Sequence, residues 1–295
     1  MFLYTLSVFS KWAKYVGLLA FLISLFSEQA LFSYLTLLTL FVVLEIALNF
    51  SMFSCSIAML LGLLVIRKRY KNNLPSVETF ESSVIYDLPF EGAWETVNGG
   101  FTPEYSHSWN IPGQRYAYDF LLMKQGRSYF GDARKVESYY CYGKPILSPA
   151  DGVVVTVRNR SLDSLILGKD RFFSRSSHIA GNYLVVKHAQ GEYSLMAHLK
   201  KDSILVNEGD HVQRGQTLAQ CGNTGNSTEP HLHFHLQSGP NFYTSVGLPL
   251  RFSGIALKPC EQYTHMDKRP VMPADGIPKG YISRGYTVQN EKGGL

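Results

Sequence analysis

The chain has 295 residues, 45% hydrophobic and 17% charged, with a formal net charge of +5. That length gives one good-sized globular domain room for an additional segment. The charge is too mild to imply a nucleic-acid partner, and four cysteines without a C-x-x-C pair give no support to a cysteine zinc site. From Tyr15 to Ile66 nearly every residue is apolar, Glu28, Gln29, Glu45 and Asn49 being the exceptions, and no helical period leaves a polar face. Residues 12–26, 30–48 and 49–66 are candidate membrane spans, so the sequence predicts a multi-pass anchor over 1–71 with two or three helices. A cleavable signal peptide is disfavoured, because a second and longer apolar run follows the first. The run Arg67-Lys68-Arg69-Tyr70-Lys71 then reads as a juxtamembrane cluster rather than a nucleic-acid site. By the positive-inside rule it belongs in the cytoplasm.

Residues 72–83 are polar and read as a linker. From Val84 the pattern changes to short strands cut by Gly, Pro and Asn, which predicts a mainly antiparallel β domain over 84–256. Expected strands cover 116–123, 153–157, 182–187, 192–196, 203–206 and 217–221. The second follows the Pro149-Ala150-Asp151-Gly152 turn, and the third and fourth form a hairpin about Ala189-Gln190-Gly191. Residues 158–180 are expected to form a long surface loop, and 257–295 an extended tail rich in Pro, Gly, Lys and Tyr. Cys55 falls in the apolar block. A disulfide between two of Cys141, Cys221 and Cys260 is possible, with the pairing open.

The most informative stretch is Glu229-Pro230-His231-Leu232-His233-Phe234-His235-Leu236. As a strand it turns Leu232, Phe234 and Leu236 to one face. His231, His233 and His235 then share the other, roughly 7 Å apart in turn. Three imidazoles on one face are poor core material but suit metal binding and proton transfer near pH 7. The turn-rich Gly222-Asn223-Thr224-Gly225-Asn226-Ser227 delivers the strand abruptly. His198 ends an expected strand where a loop begins. Asp119 is a lone carboxylate in an aromatic strand, and burying it demands a cation. His107 lies in Ser106-His107-Ser108-Trp109, leading toward that strand. One Asp and two His make a workable zinc set with a fourth position for water.

Several segments together resemble the M23 metallopeptidases, the lysostaphin- and LytM-like peptidoglycan endopeptidases. They are Gly181-Asn182-Tyr183, Ala197-His198-Leu199, Gly209-Asp210, Gly215-Gln216, the Gly222–Ser227 turn and Pro230-His231-Leu232-His233-Phe234, with Pro149–Val154 and Asp119-Phe120 fitting earlier strands. The likeness covers roughly 106–237. It implies zinc (Zn2+) ligands at Asp119 and His233, and a proton-handling pair at His198 and His231. In most of the family the first ligand is a histidine four residues before the aspartate. Here that position is Arg115, which cannot bind a cation. His107, the upstream histidine of the soluble region, is expected in its place. His235 stands where many relatives carry Glu and either supports His233 from behind or lies on the rim. His178, His188 and His211 are expected on polar loops or turns, His265 carries no signal, and Tyr183 and Tyr193 are expected to pack the strands.

These readings lead to an integral membrane zinc endopeptidase that cuts peptidoglycan stems or cross-bridges, its catalytic domain outside the cytoplasmic membrane. The alternative is a catalytically silent M23-like scaffold that binds or regulates at the envelope. Arg115 favours the alternative; the joint presence of His198, His231, His233 and Asp119 favours the enzyme.

Overall fold

A computed structural model describes residues 2–48, 50–71, 73–168 and 171–291. The chain falls into two compact units, residues 1–57 and 58–295. The first consists of α1 (Phe2–Ser24), α2 (Ala30–Thr36), a 3-10 turn at Leu37–Leu40, α3 (Phe41–Leu48) and the start of α4 (Phe50–Tyr70). Within it Lys14 on α1 is ion-paired to Glu45 on α3, so each charge offsets the other. Among the described residues one helical run, Ala30–Ala47, is long and apolar enough to cross a membrane, with mean hydropathy 2.1. Trp12–Ser24 is apolar but shorter. Asn49, the expected joint between the second and third spans, lies outside the described residues. The last turns of α4 belong to the second unit: Ile66 is buried in its core, and the Tyr70 hydroxyl donates to Ser238 Oγ at 2.9 Å.

The second unit is built on antiparallel strands. In chain order these are β1 (Trp94–Asn98), β2 (Tyr118–Leu121), β3 (Pro145–Leu147), β4 (Gly152–Arg158), β5 (Leu165–Gly168), β6 (Arg171–Phe173), β7 (Tyr183–Ala189), β8 (Glu192–Ala197), β9 (His211–Val212), β10 (Thr217–Gln220), β11 (Leu232–Gln237), β12 (Gly247–Leu248), β13 (Ile255–Pro259) and β14 (Tyr286–Asn290). Ten of them form one sheet in the order β13-β14-β1-β2-β11-β8-β7-β4-β9, with β12 added on β11. The pairs β10–β3 and β5–β6 stand apart from it. One face of the sheet packs the core: Phe120, Leu184, Leu232, Phe234 and Leu236 are fully buried, as alternation along β11 requires.

Three regions depart from the sequence expectation. Residues 158–180 contain the β5–β6 hairpin instead of a plain loop. Residues 203–206 form no strand; Leu205 N–H bonds the Leu218 carbonyl, but Ser203 turns its hydroxyl back onto the Lys200 carbonyl. Segment 257–291 is no loose tail, because β14 pairs with β1 on one side and β13 on the other. Tyr286 and Val288 enter the core from it, alternating with Thr287 and Gln289. Residues 292–295 and Asn72, the ends of the expected tail and linker, lie outside the described residues. The far end of the linker is fastened, since Ser83 N–H donates to Glu192 Oε1 at 2.8 Å. No disulfide joins any two of Cys55, Cys141, Cys221 and Cys260.

Candidate metal centre and catalytic cleft

The site is one row across the sheet. Asn98 on β1 is the register partner of Asp119 on β2, Asp119 of His233 on β11, and His233 of Ala197 on β8. Directly opposed residues of antiparallel strands bring their side chains together, so register alone places Asp119 against His233. Asp119 Oδ1 is 3.0 Å from His233 Nδ1 and 3.7 Å from His231 Nε2. Its other oxygen, Oδ2, is 3.6 Å from His107 Nε2 and accepts from Asn98 Nδ2 at 3.0 Å.

All five expected site residues, His107, Asp119, His198, His231 and His233, line one cavity of about 340 Å³, and Asn98 joins them. Burial alone would raise the Asp119 carboxyl. His107 and the adjoining rings of His233 and His231 outweigh it and hold the group well below the usual carboxylate range. Burial, helped by His231 and His233, pushes His198 well below the ordinary imidazole value, and burial likewise lowers His107.

His198 and His231 arrive from different loops, with ring centroids 4.7 Å apart. His198 follows the end of β8 with its backbone in the left-handed region, φ 60°. Its Nδ1 is 2.7 Å from the Thr224 carbonyl. A carbonyl only accepts, so the hydrogen sits on Nδ1 and Nε2 keeps its lone pair. The same logic applies to His231, whose Nδ1 is 2.8 Å from the Glu229 carbonyl. The loop bearing Thr224 is seated by glycines: a Cβ on Gly225 would lie 2.4 Å from the Gly181 nitrogen, and one on Gly181 would lie 2.3 Å from the Thr224 carbonyl carbon. Both take positive φ, 86° and 65°, which glycine alone adopts without strain.

Arg115, at the usual first-ligand position, does something else. Its guanidinium carbon lies 4.7 Å from the Trp109 ring, and its Nε donates to the Trp109 carbonyl at 3.2 Å. Ser106 Oγ donates to the Arg115 carbonyl at 2.7 Å. Arg115 thus braces both flanks of the loop that carries His107.

His235 is buried behind His233 rather than on the rim: its Nδ1 is 3.1 Å from His233 Nε2, and its Nε2 is 3.0 Å from Gln237 Oε1. His178 is buried too, stacked near Tyr183 and Phe242 at 4.9 and 5.2 Å, where its position in a polar loop suggested exposure. His188 also contacts the interior, its Nε2 lying 2.7 Å from Ser194 Oγ. Tyr183 and Tyr193 pack strands as expected. Sequence reasoning missed Asn98, Thr224 and Gln237. Asn98 precedes the Gly99-Gly100 turn and Thr224 lies within another, so both read as turn residues.

Among the described residues no three His, Cys, Asp or Glu side chains are drawn together as tightly as a bound ion would draw them. The donor set nevertheless fits zinc. A carboxylate and two imidazoles are ordinary zinc ligands, and a tetrahedral site with bonds near 2.0–2.1 Å separates its donor atoms by about 3.3 Å. Asp119 Oδ1 at 3.0 Å from His233 and Oδ2 at 3.6 Å from His107 are each of that order.

Residues 136–243 match peptidase family M23, a span that includes His198, His231 and His233 and leaves out His107 and Asp119. Over that span the chain is similar to the M23 peptidases. Over 94 residues it is 38% identical to the peptidoglycan DD-endopeptidase ShyA of Vibrio cholerae, covering 32% of this chain and 17% of that protein. An uncharacterized metalloprotease of Haemophilus influenzae is 32% identical over 123 residues, 41% of this chain and 22% of that protein. The chain spans about a fifth of the length of these relatives. A crystal structure of a zinc containing peptidase from Vibrio cholerae aligns with 56% of this chain and 39% of that chain at 27% identity, with a TM-score of 0.34.

Proposed function

We propose that the protein is a membrane-anchored zinc endopeptidase that hydrolyses peptide bonds in peptidoglycan stems or cross-bridges. The observation that carries this reading is the convergence of one ionised carboxylate, His107 and His233 on the same cavity as the paired rings of His198 and His231. His107, Asp119 and His233 would hold the metal. Bound there, zinc supplies a Lewis acid for the scissile carbonyl and brings a water toward a pKa of about 7.

The chain's own residues do the rest. His198, neutral by burial and with its Nδ1–H committed to Thr224, offers Nε2 as the general base that takes a proton from the attacking water. His231, its Nδ1–H committed to Glu229, turns Nε2 to the same space, where, protonated from solvent, it donates to the developing oxyanion, and His198 hands the proton it took from the water to the departing amine. Asn98, on the wall of the cleft, holds Asp119 in place.

The N-terminal apolar unit is the anchor, with two or three of its helices spanning, and the M23 domain faces the wall. Three spans with the N-terminus in the cytoplasm reconcile export with Lys11 and Lys14, and leave only the Arg67 cluster on the unfavoured side. A phosphatase fused after Gln237 is expected to be active outside; an inactive fusion with a protease-protected domain rejects the wall assignment.

The decisive experiment measures the zinc content of the detergent-solubilised full chain together with its digestion of purified wall. Stoichiometric zinc and released peptides support the enzyme. A metal-repleted protein that holds no zinc and releases nothing gives the site to the silent scaffold, with Arg115 as the reason.

A further inference from the structure

The partners behind Asp119 and His233 decide what those two residues show each other. Behind His233 runs a chain of contacts: His233 Nε2 to His235 Nδ1 at 3.1 Å, His235 Nε2 to Gln237 Oε1 at 3.0 Å, and Gln237 Nε2 to the Gly239 carbonyl at 2.7 Å. The last contact has one possible polarity, because a carbonyl oxygen only accepts. Gln237 therefore gives its NH2 to Gly239 and its oxygen to His235. That oxygen also only accepts, so His235 carries its hydrogen on Nε2 and receives on Nδ1. His233 then donates from Nε2, and its Nδ1 is a bare lone pair.

A mirror arrangement stands behind Asp119. Asn98 Nδ2 donates to Asp119 Oδ2 at 3.0 Å, while Asn98 Oδ1 accepts from the Arg269 guanidinium. Arginine has donors and no acceptor, so the Asn98 amide cannot be reversed. Arg269 is tied in turn to Asp267 in the same C-terminal segment. Oδ1 of Asp119 is left to face His233 Nδ1 across 3.0 Å. Two lone pairs at that distance repel unless a cation lies between them.

We infer that Gln237 with His235, and Arg269 with Asn98, are positioning residues that set the His233–Asp119 pair as two acceptors before a divalent cation arrives. The inference rests on the zinc reading of the site, but its content is hydrogen-bond polarity, which is measurable without metal. It also assigns a role to Arg269, a residue beyond the span that matches the family.

Imidazole nitrogen NMR of the metal-free full chain at pH 7.5 is expected to show His233 with hydrogen on Nε2 and none on Nδ1. Zinc competition should show Gln237→Leu and Arg269→Leu binding about 10–100-fold more weakly, the usual loss when a ligand's outer partner is removed. Arg269→Lys is still donor-only and should bind nearly as tightly as the parent, and Gln237→Glu, which keeps the acceptor for His235 but loses the donor to Gly239, should fall between the parent and Gln237→Leu. A parent protein whose His233 carries hydrogen on Nδ1 overturns the inference, and so do leucine variants that bind zinc as tightly as the conservative ones. If a leucine variant does not fold, the parent tautomer alone decides. A parent that shows the expected tautomer yet binds no zinc overturns the metal reading and leaves the relay standing.

Discussion

The imidazole of His198 is held from behind by the carbonyl of Thr224, 2.7 Å from its Nδ1, while the neighbouring ring of His231 is held by the carbonyl of Glu229. Neither ring spends its Nδ1 on the carboxylate that would bind metal, which separates proton handling from ligation. His198→Ala and His231→Ala should therefore keep zinc while hydrolysis falls by about 10²–10⁴-fold, the range for a lost acid or base group. Elemental analysis beside a wall-digestion assay checks this; a metal-free His198→Ala protein would contradict the division of roles.

The ligand set makes the complementary prediction. Asp119→Ala and His233→Ala should lose zinc and activity together, and His107→Ala should weaken zinc binding strongly. Arg115→Ala should keep zinc, because the guanidinium braces the His107 loop against Trp109 without entering the cavity. Its defect should appear as faster proteolysis within 106–109. A His107→Ala protein with unchanged zinc affinity would remove that residue from the set.

A pH effect is expected away from the site. Burial raises the Glu95 carboxyl to about 7, against hydrogen bonds from Met123 N–H and its own backbone that work the other way. The folded chain thus binds this proton more tightly than the unfolded chain does. Its contribution is fully present below the unfolded value near 4.5 and is lost as pH rises through about 7. Denaturant midpoints should fall between pH 5 and 8 in the parent, and less so in Glu95→Gln. Parallel pH profiles for the two proteins would refute the assignment.

The C-terminal segment should prove indispensable. A chain ending at Pro259 lacks β14, which leaves the edges of both β1 and β13 unpaired. It also lacks Arg269. Such a protein should lose cooperative unfolding and zinc binding together; a truncated chain that melts sharply and retains zinc would show that β14 is dispensable.

How much of this was legible depended on the range of the contacts. The β11 histidines declared themselves through a period of two, and Asp119 through being the lone charge among Tyr116, Tyr118 and Phe120. The hairpin of β7 and β8 was readable because its partners are neighbours in sequence. What was not readable is non-local. Tyr286-Thr287-Val288-Gln289-Asn290 alternates as plainly as any strand, but the surrounding Gly and Pro suggested a tail, and its partner β1 lies near the start of the domain. Asn98 and Gln237 bear no local mark of function, since their roles come from what Arg269 and Gly239 permit them to do. The number of spans was also beyond reach, because apolar content alone does not separate a helix in lipid from one such as α4, whose Ile66 is buried in protein.

Pairing β14 with β1 has a consequence for biogenesis. Ribosomes deliver β1 and β2 early and β14 late, so the outer edge of β1 waits unpaired throughout synthesis and any export that accompanies it. Until β14 is made, β1, the strand that sets Asn98 against Asp119, is paired on one side only. A domain assembled in this order completes the support behind Asp119 last. An interrupted chain, by contrast, would present a raw strand edge to its neighbours, a template for aggregation.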